Sequence, residues 1–258
     1  MIILRSRAEI EKIRSACRIV ADILQVLTEH IVPGVTTWDL DALSAEMAQK
    51  RNAKPAFMGY HGYPFALCTS VNEQVVHGMP SKQRHLHEGD IISLDFGVVV
   101  DGYYGDAALT VPVGRISEEA ARLCAVTRES LYKGIASAVS GNRLSDISHA
   151  IQDYVESRGF SVVREFVGHG IGQHLHESPQ IPNYGPPGKG VKLKAGMVLA
   201  IEPMINCGAP DVEVLQDQWT AVTLDRKLSA HFEHTIAITE NGPDILTLQE
   251  TALQEDSQ

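Results

Sequence analysis

Five side chains able to hold a metal ion sit in apolar surroundings along this chain. Gly168-His169-Gly170-Ile171-Gly172, followed by His176, places an imidazole among glycines. Asp95 and Asp106 share one apolar hairpin upstream, and Glu202 and Glu233 lie in apolar, strand-like runs downstream. Carboxylates carried inward by such neighbours are costly to bury unless something positive sits among them. A pair of divalent metal ions is the simplest such partner, and ions of this kind lower the pKa of water toward neutrality for hydrolysis.

The hairpin carries the first half of this reading. Ile91 to Val100 is a strong strand pattern, Asp101-Gly102 is a turn signal, and Tyr103 to Val111 returns. Folding about that turn brings Asp95 close to Asp106, with an allowance for a bulge of one or two residues. Gly97, Gly105 and Ala107 are small enough to leave room for a site. Asp101 and Asp90 read as turn residues. Glu202 is followed by Pro203, which removes a ladder donor and marks an edge, bulge or strand end. Glu233 lies in a strand run from His231 to Thr239, where a glutamate is either solvated or, with the other acids, part of the site.

The histidines divide by context. The glycines around His169 permit close backbone approach and unusual dihedrals, or form only a turn. His77 and His176 sit on Gly/Pro-containing loops, where they can meet a substrate. His30, His85, His87 and His149 have polar or helix-end surroundings and read as solvated. Tyr60, Tyr63 and Phe65 stand in an irregular aromatic loop that either lines an apolar pocket or packs beneath itself.

The elements that must position these groups follow from periodicity. A helix is expected over Ser6 to Glu29, with Ile10, Ile13, Ala16, Cys17, Val20, Leu24 and Leu27 on one face. Thr37 is expected to cap a second helix, running to about Asn52. Ser117 caps a third, to about Val139, and a fourth runs from Leu144 to Glu156. Strands are expected after each pair: Ala66 to Ser70 and the hairpin, then Val162 to Phe166, Met197 to Ile205, Trp219 to Thr223 and His231 to Thr239. The order suggests a duplicated α+β unit with a central antiparallel sheet and helices on one face. A single domain over 1–258 is expected, with halves of about 1–115 and 116–248 and a polar, frayed tail from 249.

Composition narrows the partners. The chain of 258 residues carries a formal charge of −10, which disfavours nucleic acid as substrate. Its four cysteines, at 17, 68, 124 and 207, have no metal-knuckle spacing and suggest a reducing compartment. Cys17 and Cys124 read as buried thiols. Arg5, Arg7, Glu9 and Glu11 follow the first apolar residues too closely for a signal peptide, and no run reaches membrane-spanning length. A cytoplasmic location is expected.

At this point the chain resembles the type I methionine aminopeptidases of the pita-bread metallopeptidase family. The likeness rests on GYHGYPF at 59–65, TSVNEQVVHGMP at 69–80, LDFGVVVDGYYGDAA at 94–108, GHGIGQHLHESP at 168–179, AIEPMI at 200–205 and HFEHTIAIT at 231–239. The resemblance implies a pita-bread fold and two divalent ions, of cobalt, manganese, iron, zinc or nickel. It places the metal ligands on Asp95, Asp106, His169, Glu202 and Glu233, with Glu202 also the acid/base. It assigns substrate contact to His77 and His176, and a methionine pocket to Tyr60, Tyr63, Cys68, His77 and Trp219. Phe57 and Leu175 stand where the family often has cysteine and phenylalanine, and Gly97 and Ala107 where threonines are frequent. Implied too are a small uncharged second residue, nascent chains met at the ribosome as partners, and a monomer. Two other readings are an Xaa-Pro dipeptidase or aminopeptidase with the same ligands, disfavoured by the lack of its N-terminal domain, and a silent scaffold, which predicts broken ligands.

Overall fold

A computed structural model describes residues 2–248, so the tail expected to fray from 249 lies outside the described residues. Helices α1 (Arg7–Glu29) and α2 (Thr37–Lys50) come first. Strands β1 (Lys54–Pro55), β2 (Leu67–Val71), β3 (Gln74–Val76), β4 (Ile91–Val100) and β5 (Tyr103–Pro112) follow. Helices α3 (Glu118–Ser137) and α4 (Leu144–Glu156) precede β6 (Ser161–Val162), β7 (Gly168–Gly170), β8 (Glu177–Ile181), β9 (Val198–Ile201) and β10 (Met204–Asn206). The described chain closes with β11 (Val212–Val214), β12 (Ala221–Thr223), β13 (Ser229–His231), β14 (Glu233–Thr239) and β15 (Gly242–Ile245).

Local chemistry sets the helix ends. Ser6 caps α1 in a reciprocal box with Glu9. The cap of α2 is Thr36 rather than Thr37, because Thr36 stands three residues before Asp39, whose carboxylate reaches back to the Thr36 N–H. Ser117 caps α3 as expected.

The strands form one nine-stranded antiparallel sheet in the order β1-β4-β5-β14-β9-β7-β8, with β2 on β4 and β15 on β14, beside two three-stranded sheets. Four expected strands are shorter or broken, among them the run 219–223, which keeps only β12. The run 162–166 contributes only β6, which pairs with β10. The run 197–205 splits at Glu202-Pro203, where the missing proline donor lets β10 leave for the small sheet with β13. The run 231–239 splits at Phe232 for the same change of sheet.

Period-2 alternation divides the large sheet into a helix face and a site face. In β4, Ile92, Leu94, Phe96 and Val98 pack into a core with Val20, Leu24 and Leu27 of α1. In β9 and β14, Leu199, Ile201, Ile236 and Ile238 pack with Leu123, Leu131, Ile147 and Ile151 of α3 and α4. Asp95, Ala200, Glu233 and Thr235 occupy the intervening positions and point the other way.

Candidate metal centre

Strand register assembles the acids. Asp95 pairs with Ala108, and Gly97 with Asp106, so the hairpin is regular and the allowance for a bulge is not needed. The two aspartates are diagonal neighbours on one face. Glu233 lies opposite Ala108 on β14. Ala200 of β9 faces Thr235 on one side and His169 on the other. Acids and imidazole thus alternate across the sheet with Gly97, Ala108 and Ala200, whose small side chains leave the space. A Cβ on Gly97 would stand 3.1 Å from Asp106 Oδ1.

The glycines flanking His169 serve close packing. A Cβ on Gly168 would lie 2.4 Å from the Ala200 carbonyl oxygen, and one on Gly170 2.4 Å from that of Ser178. Neither has a positive φ, so the unusual dihedrals expected there are absent, and His169 belongs to a strand rather than a turn.

Asp106, His169 and Glu233 are buried and bring ligand atoms within 4.8 Å of one another. His169 Nδ1 lies 3.0 Å from the Gly170 carbonyl oxygen, to which it donates, leaving the Nε2 lone pair facing inward, 3.5 Å from Glu202 Oε1. Asp95 and Glu202 keep partial exposure through the pocket they line. Asp95 Oδ1, Asp106 Oδ1 and Glu233 Oε1 are buried without hydrogen-bond partners. Burial raises the Asp95 carboxyl to about 7. Burial, and then the neighbouring carboxylates, push Asp106, Glu202 and Glu233 well above the usual carboxylate range. Burial drives His169 down to about 3, so it is neutral and able to ligate. Orphaned oxygens, mutual repulsion and a neutral imidazole together fit a divalent cation.

A cavity of ≈ 240 Å³ opens onto this cluster. All five residues above line it, as do Tyr60, Tyr63, Cys68, His77, His176 and Trp219, so every sequence-designated site residue meets there. Phe57 and Leu175 form part of its wall. The Tyr63 hydroxyl is occupied by the Leu67 and Gly78 carbonyls, so its ring is what faces the cavity, edge-on to Trp219 at 5.1 Å between centroids. His77 has φ 59° and precedes Gly78, where a Cβ would stand 2.2 Å from the Thr69 carbonyl oxygen. Burial and His176 lower His77 to about 4. The hydroxyl of Tyr60 lies 2.7 Å from His176 Nδ1.

Two residues escaped the sequence reading. His61 lines the cavity beside Tyr60. His231 is buried, with Nε2 unpaired and 3.7 Å from Glu202 Oε2. Its position two before Glu233 was the available signal, since alternate strand residues share a face. Elsewhere, Cys17 is buried and its thiol rises to about 12, whereas Cys124 is only half-buried. No helix among the described residues is long and apolar enough to cross a membrane.

A sheet-borne cluster of buried acids and one imidazole, floored by small residues and opening on an aromatic cavity, is a candidate metal site. The model of metallopeptidase family M24 matches residues 11–240, and the chain belongs to that family, whose members use divalent metal ions. Within it, the chain is 57% identical over 250 residues to a methionine aminopeptidase of Clostridium acetobutylicum, covering 97% of this chain and 100% of the relative. It is 57% identical over 247 residues to methionine aminopeptidase 1 of Bacillus subtilis, covering 96% and 99%. The crystal structure of the Thermotoga maritima methionine aminopeptidase superposes with TM-score 0.95 at 54% identity, over 96% of this chain and 100% of that one. A prolidase from Pyrococcus horikoshii has TM-score 0.79 at 25% identity, with 96% of this chain covering 64% of it. The fold is the α+β pita-bread fold.

Proposed function

We propose that this chain hydrolyses the first peptide bond of peptides and nascent proteins that begin with methionine, at a centre of two divalent ions. The observation that carries the reading is the meeting of the acid cluster with an aromatic cavity whose wall holds Tyr63, Cys68 and Trp219. Such a wall suits an unbranched, polarizable thioether. High identity to methionine aminopeptidases over nearly the whole chain favours this over an Xaa-Pro activity, and the intact ligand set disfavours a silent scaffold.

Asp95, Asp106, His169, Glu202 and Glu233 would hold the ions. When bound, these supply Lewis acidity and water activated near neutral pH. Asp106 and Glu233, whose ligand atoms lie with that of His169 within 4.8 Å of one another, would together hold an ion at the heart of the cluster. A free α-amine bound beside the acids restricts cleavage to the first residue. Glu202, at the strand break and open to the cavity, accepts the proton of the attacking water and returns it to the leaving amine. The Tyr60 hydroxyl lies 2.7 Å from His176 Nδ1; in the tautomer in which Tyr60 donates, the His176 proton stands on Nε2, able to meet the developing oxyanion. His77 is neutral at pH 7 and hydrogen-bonds the substrate backbone as an uncharged group. A preference for small second residues is part of this reading, as the likeness to methionine aminopeptidases suggests, and Met-Lys-Ser tests it.

The test is release of free methionine from Met-Ala-Ser by metal-stripped protein, with and without Mn²⁺ or Co²⁺. Met-Lys-Ser, N-acetyl-Met-Ala-Ser and an Xaa-Pro peptide serve as comparators. Metal-dependent cleavage of the first peptide alone is expected. Cleavage of the Xaa-Pro peptide instead, or none with ions demonstrably bound, overturns the reading.

A further inference from the structure

The loop from Gly172 to Glu177 delivers His176 to the cavity, yet it has no regular structure of its own before β8. Leu175 is buried within it, the Gly172 N–H donates to the His174 carbonyl at 3.2 Å, and Glu177 begins β8; a further tie is an ion pair from near the start of the chain. Arg5 Nη2 lies 2.6 Å from both carboxylate oxygens of Glu177, and the two side chains are only 2% and 11% exposed. Glu177 Oε1 also accepts the backbone N–H groups of Gln173 at 2.8 Å and His174 at 3.1 Å. One carboxylate thus gathers the loop, and one guanidinium neutralises that carboxylate.

The guanidinium is seated from several sides. It lies against Gly172, where a Cβ would stand 2.3 Å from Nη2 and 2.7 Å from Nε, so only glycine admits it. The Arg5 N–H donates to the Gly196 carbonyl at 2.7 Å, just before β9. Arg5 Nη1 reaches Glu9, the partner of the Ser6 cap of α1, at 3.5 Å. Glu9 accepts from the Tyr103 hydroxyl, which accepts from Gln173 Nε2 at 3.4 Å. The next residue, Tyr104, donates its N–H to the Gly172 carbonyl at 2.8 Å. Among the described residues, His176 itself has one side-chain hydrogen bond, to Tyr60, and an edge contact with His169 at 4.3 Å. Its ring is exposed, so the backbone on which it stands must be fixed elsewhere.

We propose that Arg5 is a positioning residue for the reaction: paired with Glu177, it latches the 172–177 loop so that His176 faces the substrate carbonyl. The proposal rests on the assignment of His176 above. A planar fork that both ion-pairs with the carboxylate and lies flat on Gly172 is a task lysine performs only in part. Removing the cation leaves Glu177 buried without counter-charge, and the carboxylate then seeks water and takes the loop with it.

The experiment compares Arg5→Met, Arg5→Lys and the double variant Arg5→Met/Glu177→Gln as metal-loaded full chains. Read out are kcat and KM for Met-Ala-Ser, metal per chain, Tm and amide exchange at residues 172–177. Arg5→Met is expected to lower kcat by about tenfold or more, the scale of a sub-ångström to one-ångström misplacement. KM and metal content stay near wild type, and Gln173 and His174 exchange faster. Arg5→Lys recovers part of the loss, and so does the double variant, because its amide oxygen still accepts the two loop N–H groups without a bare charge. If Arg5→Met does not fold, Arg5→Lys carries the same expectations at smaller size. Faster loop exchange with kcat within about twofold of wild type, well inside the scale of a real misplacement, overturns the proposal. So does a kcat loss that tracks lost metal or lost folded protein, or unaltered exchange. Absence of methionine release by the wild-type enzyme is a different failure: it sinks the assignment of function, while the exchange data still report the latch.

Discussion

At the scale of single residues, Glu202 bears the sharpest prediction. It sits outside regular strand, with its backbone carbonyl accepting from Asn183 Nδ2 at 3.0 Å and its carboxylate between His169 and His231. Glu202→Gln keeps the volume and one coordinating oxygen but removes the base. The expected result is a fall in kcat on the order of 10²–10⁴-fold with metal still bound, read from turnover and metal stoichiometry together. Near-normal kcat at full metal occupancy would remove Glu202 from proton transfer. The acids and the imidazole of the cluster stand out in the sequence because such groups are conspicuous in apolar runs, whereas Cys68 and Trp219 entered only through the family resemblance. His231 was passed over although its spacing from Glu233 hinted at a shared face, and its place at the site shows in the structure through its unpartnered Nε2.

At the scale of elements, the two strands and the turn of the β4–β5 hairpin were legible, while the register of Asp95 against Asp106 stayed open to a bulge until Gly97 was found opposite Asp106. Caps and breaks were less so. Adjacent threonines make the α2 cap ambiguous until the reciprocal bond to Asp39 is seen, and Pro203 marks an interruption without saying that the strand changes sheets. The role of the glycines around His169 was read only in part, because sequence does not distinguish freedom of dihedral from proximity of a neighbour. Gly168→Ala tests the second. Its Cβ must displace β7 from the Ala200 carbonyl, so a loss of about 1–3 kcal/mol is expected by denaturant unfolding. Weaker metal binding should accompany it, because His169 is the next residue on that strand. Unchanged stability and metal affinity would mean that β7 is free to shift. The Arg5–Glu177 latch belongs at this scale too, and no period or motif announces a contact between residues so far apart in the chain.

At the scale of the whole molecule, the site face carries a charge that folding alone does not neutralise. Asp95, with a folded value of about 7 against 3.8 when unfolded, binds a proton more readily in the native state. Its contribution to stability is therefore fully present below 3.8 and is lost as pH rises through about 7. Asp106, Glu202 and Glu233 are shifted in the same direction. The buried imidazoles of His77 and His234, both lowered to about 4 by burial, act in the opposite sense and cost stability as pH falls through 6.5 toward 4. Metal-stripped protein should thus lose stability as pH climbs toward and through about 7, where Asp95 ionises beside the other acids without a counter-charge. Divalent ions bind the ionised carboxylates and release their protons, so their stabilising effect must grow over the same interval. At a hundredfold excess over Kd the gain is about 2.7 kcal/mol per site. Differential scanning calorimetry of stripped and Mn²⁺-loaded protein at pH 6, 7 and 8 reads the difference in Tm directly. A difference that widens with pH is expected. One that is constant or narrows would show that the acids are already ionised and solvated without metal, and that the cluster on the sheet is not held together by the ions it was inferred to bind.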